Sequence, residues 1–423
     1  MRRQFIILIV IILTPFQIKA GTGDAIFESN KIHVVDISLM QCNAMDSLMH
    51  YKNSAKERIP YMQGNVRVNN ENFYAVGIRY KGESSFDYYP GVKKSIKIKF
   101  NKYIKGQNLD GLTTINLNNA FKDPAFMRDK IFCDFLRYAG INAPRCTYAW
   151  VRVNGQELGL YVLIEQINKS FLRTVFKKNF KGNMYKGHPK PTFEYVGTDT
   201  TLYMRRYRDE QIVEKPYADL IHLIQVINNK ELSEQEYFDE LGKKINLETM
   251  FKVWAVNNML VNIDCYNIWW PHNFYLFRHP ESRKFEWIPY DGNYLFCAWS
   301  PFLNYDEAVR LSYKFINDSV SKRHVLHSAI WDNPILFGKY KDIYKALFEN
   351  YYDFEWFEHK IDSLAYQLRP YVYRDQHKMY SNDEFEKNIN ETIGETGYAG
   401  GFIPGLKPFI KERRKFLKKE LKK

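Results

Sequence analysis

Cysteine is scarce in this chain. Cys42, Cys133, Cys146, Cys265 and Cys297 fall at wide intervals. That spacing excludes a zinc centre and a dense disulfide framework; it leaves room for one bridge in an oxidising compartment, with the rest buried thiols. Acid is the minority charge, with 48 Asp and Glu against 61 Lys and Arg, a formal net charge of +13. A basic surface suits nucleotides, phosphorylated or acidic proteins and anionic envelope surfaces. No nucleic-acid recognition module accompanies it, so no nucleic-acid partner is expected, and the basic tail to Lys423 reads as a solvated helix face. Long apolar runs are confined to one place. Arg2 and Arg3 precede the run Phe5 to Leu13, and Ile18-Lys19-Ala20 leads into Gly21. Residues 1–20 are therefore expected to be a cleaved secretory signal, with an uncleaved anchor as the alternative. No transmembrane segment is expected in the mature chain, which is placed outside the cytoplasm: secreted, periplasmic or in the cell envelope.

Several catalytic signatures are also missing. There is no glycine-rich nucleotide repeat and no Walker pattern. His188 and His272 lack partners at metal-ligand spacing, and Ser84 and Ser85 lack a neighbouring His for hydrolase chemistry. Internal repeats and low-complexity linkers are absent too.

Aromatic residues make up 16% of the chain, which argues for a folded globular protein. Residues 31–37 and 61–103 read as strands. In Lys93 to Phe100 the alternation is strict, with Ile96, Ile98 and Phe100 on one face and Ser95, Lys97 and Lys99 on the other. Residues 123–139 read as a helix with Asp123 as N-cap and Pro124 at its first position. Thr147 to Val153 and Leu158 to Glu165 form a hairpin across Asn154-Gly155. From 216 onward the pattern is mainly helical, interrupted by a strand at His272 to Phe277 and another ending at Pro289.

The order of polar residues around that hairpin carries the chemistry. Asp264 follows a long apolar helix, Asn273 opens a strand, and Asp291-Gly292 ends the next strand. A protein kinase arranges its catalytic half in this order, one carboxylate serving the acceptor and an Asn plus a second carboxylate holding Mg²⁺. Asp264 and Asn273 are nine residues apart, where ordinary kinases have about five. A two-carboxylate glycosidase is the competing reading of the aspartates, but it leaves Asn273 without a role.

With those segments in view the chain resembles the spore coat protein H (CotH) kinase family. The resemblance is carried by Val76 to Ser85, Lys93 to Phe100, Leu117-Asn118-Asn119, Asp123-Pro124, Met127-Arg128, Val153-Asn154-Gly155, Gly159 to Gln166, and the Asp264, Asn273 and Asp291 segments. It implies an atypical, secreted, two-lobed kinase-like α+β fold: a β-rich N-lobe and hinge over 21–168, then a mainly helical C-lobe over 169–423 with a basic C-terminal extension. It also implies ATP and Mg²⁺ (or Mn²⁺) as cofactors and transfer to Ser or Thr of a protein. Asp264 is then the catalytic base or acceptor-positioning residue, and Asn273 and Asp291 the metal ligands. Lys97 pairs the phosphates, held by Asp129 or Asp134. Lys81, Gly82, Ser84 and Ser85 form a turn over the phosphates, Arg128 reaches a phosphate oxygen, and Glu165 with Gln166 marks the hinge. AMP transfer on the same residues and a catalytically inactive scaffold are the alternatives. Oligomeric state and acceptor are not legible.

Overall fold

The computed structural model describes residues 22–29, 31–41, 43–55, 58–298, 300, 302–315, 324–394 and 401–422. The expected signal segment and Cys42 lie outside these residues. The architecture is mixed α+β. Where a β-rich N-lobe is expected, the strands up to Glu165 close into a seven-stranded barrel. Its strands are β1 (His33–Ser38), β2 (Met62–Val68), β3 (Glu71–Tyr80), β4 (Ile96–Lys99), β5 (Thr114–Asn118), β6 (Cys146–Val153) and β7 (Gln156–Glu165), in the order β1-β2-β3-β4-β5-β7-β6. Closure comes from a parallel pairing of β1 with β6, in which Val35 lies opposite Val151.

Period-two alternation explains the barrel. Val35, Ile37, Ile78, Ile96, Ile98, Ile115, Leu117, Val151 and Leu163 fill its interior. The intervening residues of β6 and β7, among them Tyr148, Trp150, Leu160 and Val162, face outward into the core of the helical part. Both faces of this hairpin are therefore covered, and its turn uses Asn154 and Gly155 at positive φ (49° and 80°).

The helix expected from Asp123 begins instead at Arg128 and runs to Tyr138. Ala120, Lys122 and Phe126 all have φ between 56° and 59°, which no α-helix accommodates. Asp123 does not open the helix. It braces it, accepting from the Arg128 backbone N–H at 2.8 Å.

The C-terminal half adds a four-stranded antiparallel sheet in the order β11-β10-β8-β9. These strands are β8 (Met184–Gly187), β9 (Tyr207–Gln211), β10 (Phe274–Arg278) and β11 (Phe285–Pro289). Helix Leu247–Met259, capped by Asn246, is buried nearly all round and delivers the chain to the loop that holds Asp264. Helices Pro334–Asn350, Phe354–Arg374 and Leu406–Glu420 pack behind it. The basic C-terminal helix is only partly the solvated face expected of it. Arg413 is fully buried and donates to the carbonyls of Asn258, Met259, Val309 and Leu311. A buried ion pair, Lys93 with Asp375 at 2.5 Å, ties the barrel to helix Phe354–Arg374. Among the described residues no helix is long and apolar enough to cross a membrane.

Candidate active site

Ile96 and Ile98 point into the barrel, so Lys97 must point out. The pairing register lines it up with Arg79 on β3 and Asn116 on β5. Lys81 lies just past β3, its amide held by the Ser95 carbonyl at 2.9 Å and its Nζ by Asn118 Oδ1 at 2.5 Å. The second sheet contributes another row, with Tyr275 opposite Lys186 and Lys186 opposite Arg208.

The three polar residues singled out near the second hairpin come together. Asn273 Nδ2 donates to the Asp264 carbonyl at 2.7 Å and to its Oδ2 at 3.0 Å. His272 Nε2 lies 2.5 Å from Asp264 Oδ1. Asn273 (φ 62°) and Asp291 (φ 69°) both hold left-handed backbone, which Asn and Asp tolerate better than most residues and which cluster at functional sites. Gly292 does not owe its identity to such a turn. It sits against helix Arg128–Tyr138, where a Cβ would fall 2.5 Å from Phe132 Cβ. Its N–H donates to Asp129 Oδ1 at 3.0 Å.

Charge is concentrated here. Burial raises the Asp291 carboxyl above its ordinary value, and Asp264 adds to this, while Lys81, Lys186 and His272 oppose it. Asp129 is pushed up to about 7 by burial and then by Asp291. Burial works against a proton on His272, yet Asp264 and Asp291 outweigh it and its pKa is raised. Burial lowers Lys81, with Asp291 and Asp129 pulling the other way. Lys186 is pushed down to about 8 by burial and then by Arg208.

Buried carboxyls raised by burial and by a neighbouring carboxylate, as Asp291 and Asp129 are, suit a cation. Asn273 spends its Nδ2 on Asp264, which leaves its Oδ1 as a hard donor, and its carbonyl accepts from the N–H of Tyr290, the residue before Asp291, at 3.3 Å. Among the described residues no three His, Cys, Asp or Glu side chains converge as a metal cage. Mg²⁺ does not need one, since it takes one or two carboxylates and completes its shell with water and phosphate oxygens. Asp291, Asn273 and Asp129 fit that donor set.

Other expected residues are placed differently. Lys97 Nζ donates to Gln166 Oε1 at 2.6 Å. Burial and the charges of Arg79 and Lys81 drive its pKa well down, with Glu210 the opposing acid. The acid expected for Lys97 faces Lys81 instead: Asp129 acts on Lys81, whereas Asp134 pairs with Lys130 and Lys360. Arg128 cannot reach a phosphate. It is fully buried, and its donors go to Asp123 (2.7 Å), Asn388 (3.0 Å) and the carbonyls of Leu295 and Pro404. The Glu165 carboxylate belongs to Arg145, at 2.7 and 2.9 Å, and it is Gln166, one residue on, that meets Lys97. Gly82 has φ 92° and a Cβ there would meet Ser85 Oγ at 2.2 Å. Ser84 is exposed and begins a single helical turn, Ser84–Asp87.

Lys186 went unnoticed in the sequence. No motif surrounds it, and only the β8–β10 register brings it beside Tyr275 and over the Tyr290 ring, 4.6 Å from the centroid.

The family description "CotH kinase protein" matches residues 78–417. Inner spore coat protein H of Bacillus subtilis (strain 168) is 24% identical over 318 residues, which is 74% of this chain and 82% of that protein. The crystal structure of the Helicobacter pylori proinflammatory kinase CtkA aligns with 77% of this chain and 92% of its own, at 9% identity and a TM-score of 0.34. The family match spans every candidate residue from Lys81 to Asp291, and the chain belongs to the CotH kinase family.

Proposed function

We propose that the chain transfers a phosphoryl group from ATP, with Mg²⁺, to Ser or Thr of an extracytoplasmic or coat protein. The observation that supports this reading is the hydrogen bond of Asn273 to Asp264, with Asp291 close enough to be acted on by Asp264 and Lys81. Asp291 and Asn273 would hold Mg²⁺, which on binding supplies charge neutralisation for the phosphates. Lys81 and Lys186 bind phosphate oxygens, and Asn118 holds the Lys81 amine in place. Asp264 orients the acceptor hydroxyl and takes its proton as the new P–O bond forms and the bond from the γ-phosphorus to the bridging oxygen breaks, ADP leaving with that oxygen; a loose transition state asks for no stronger base. His272 and Asn273 fix the direction of that carboxylate. The relative named as an inner spore coat protein and the apolar run near residue 10 support a surface or coat location.

The test is transfer from ATP with Mg²⁺ or Mn²⁺ to the protein itself and to a casein-like acceptor, read by the mass of the product, for the wild type and Asp291→Asn. Phosphate on the wild-type product and none with the variant supports the reading. An adenylyl adduct reassigns the reaction to AMP transfer. No nucleotide binding and no transfer leaves a scaffold.

A further inference from the structure

Asn116 lies beside Lys97 on the barrel's outer face and is only 6% exposed. Its Nδ2 donates to Gln166 Oε1 at 3.2 Å and to the Ile164 carbonyl at 3.4 Å. Its Oδ1 is buried with no hydrogen-bond partner. The amide cannot be turned over to relieve this, because its oxygen would then face two acceptors. Gln166 is fixed in the same way. Its Oε1 receives Lys97 Nζ, and its Nε2 donates to the Ile167 carbonyl at 2.8 Å and lies 3.5 Å from the Tyr275 hydroxyl. Burial keeps that hydroxyl protonated. The result is a fixed acceptor, Asn116 Oδ1, in a place where an unpaired oxygen is costly, with Gln166 as the side chain between Asn116 and the Tyr275 hydroxyl.

The position of this pair relative to the carboxylates matters. Two residues along the same face of β5, Asn118 accepts from Lys81 Nζ at 2.5 Å and donates to Asp129 Oδ2 at 3.4 Å, and Asp129 holds the Gly292 N–H next to Asp291, while Asn116 stands beside Lys97. The order carboxylate, amines, amide is the order of terminal phosphate, polyphosphate and base in a nucleoside triphosphate.

We infer that Asn116, with Tyr275, reads the amino-bearing edge of the nucleobase. This rests on the nucleotide-dependent function proposed above. The exocyclic amine of adenine donates to Asn116 Oδ1, and the Tyr275 hydroxyl donates to the adjacent ring nitrogen. A 6-oxo purine sets its oxygen against Asn116 Oδ1, which stays unpaired, and turns a ring N–H instead of an acceptor toward the Tyr275 hydroxyl, the kind of mismatch by which polar sites discriminate most strongly.

The experiment is equilibrium binding of ATP and of inosine triphosphate to the full chain with Mg²⁺. The two ligands share ribose and phosphates and differ at the base edge. The wild type is expected to bind ATP roughly 100-fold more tightly. Asn116→Leu should bring the ratio toward one, and Tyr275→Phe should weaken ATP more than inosine triphosphate. Equal wild-type affinities overturn the assignment, the oxygen then being met by water alone; that comparison needs no variant to fold. If neither nucleotide binds the wild type, the nucleotide-dependent function itself fails, and this inference with it.

Discussion

The backbone N–H of Gly292 donates to Asp129 Oδ1 at 3.0 Å, so the turn that carries Asp291 is set directly on the first turn of helix Arg128–Tyr138. This contact makes the identity of residue 292 a matter of space. Gly292→Ala places a methyl 2.5 Å from Phe132 Cβ and should destabilise the fold by about 1–3 kcal/mol, measured by denaturant midpoint. Phosphoryl transfer should fall further than the folded fraction does, because the strand end bearing Asp291 is displaced. A variant of unchanged stability and activity would show that the contact yields freely.

Lys81, not Lys97, faces the carboxylates. Lys81→Met should lower kcat by roughly 100-fold or more, the scale for losing one positioned charge at a transition state. Lys97→Met should act mainly on KM for ATP. The two variants compared in one transfer assay decide it; the reverse pattern would return the phosphate-pairing role to Lys97.

Arg128 is a clamp. Arg128→Met strands the buried carboxylate of Asp123 and should cost about 3–5 kcal/mol, the range for halving a buried ion pair. Where the variant is still folded, its nucleotide Kd should match the wild type. A selective loss of nucleotide affinity at unchanged stability would instead place the guanidinium on a phosphate.

His327 makes the helical part acid-sensitive. Burial, and then His324, lowers its pKa from 6.5 to about 3. The unfolded chain therefore binds a proton that the native state refuses between those values. Stability is full above about pH 6.5 and is lost as pH falls toward 3, by a few kcal/mol for this one group. His327→Phe keeps a ring against Trp254 and Trp331 and should flatten the stability profile across that window, as read by thermal unfolding at stepped pH.

Much of this was legible locally. The alternation from Ser95 to Phe100 has period two, so the sequence alone told which face of β4 is polar. Asn154-Gly155 announced its hairpin, because few other pairs accept two successive positive φ angles. Asp264, Asn273 and Asp291 could be picked out because each stands at a junction of strand or helix with loop, where short polar side chains are needed. The start of helix Arg128–Tyr138 was not legible: Asp123-Pro124 is a sound helix opening in isolation, and left-handed residues at 120, 122 and 126 cancel it.

Tertiary structure decided the rest. Closure of the barrel depends on β1 meeting β6 across more than a hundred residues of chain, and no local pattern encodes such a pairing. The same closure, with the register of β3, β4 and β5, sends Lys81 rather than Lys97 toward Asp129 and Asp291. Arg128 looked like a phosphate ligand because a guanidinium suits one; only packing against Asn388 and Pro404, brought from the far end of the chain, reveals that its donors are already taken. Lys186 enters the site because β8 pairs with β10. The sequence determined which side chains were available and which faces they occupy. Long-range pairing determined which of them meet, since distance along the chain says nothing about distance in the fold.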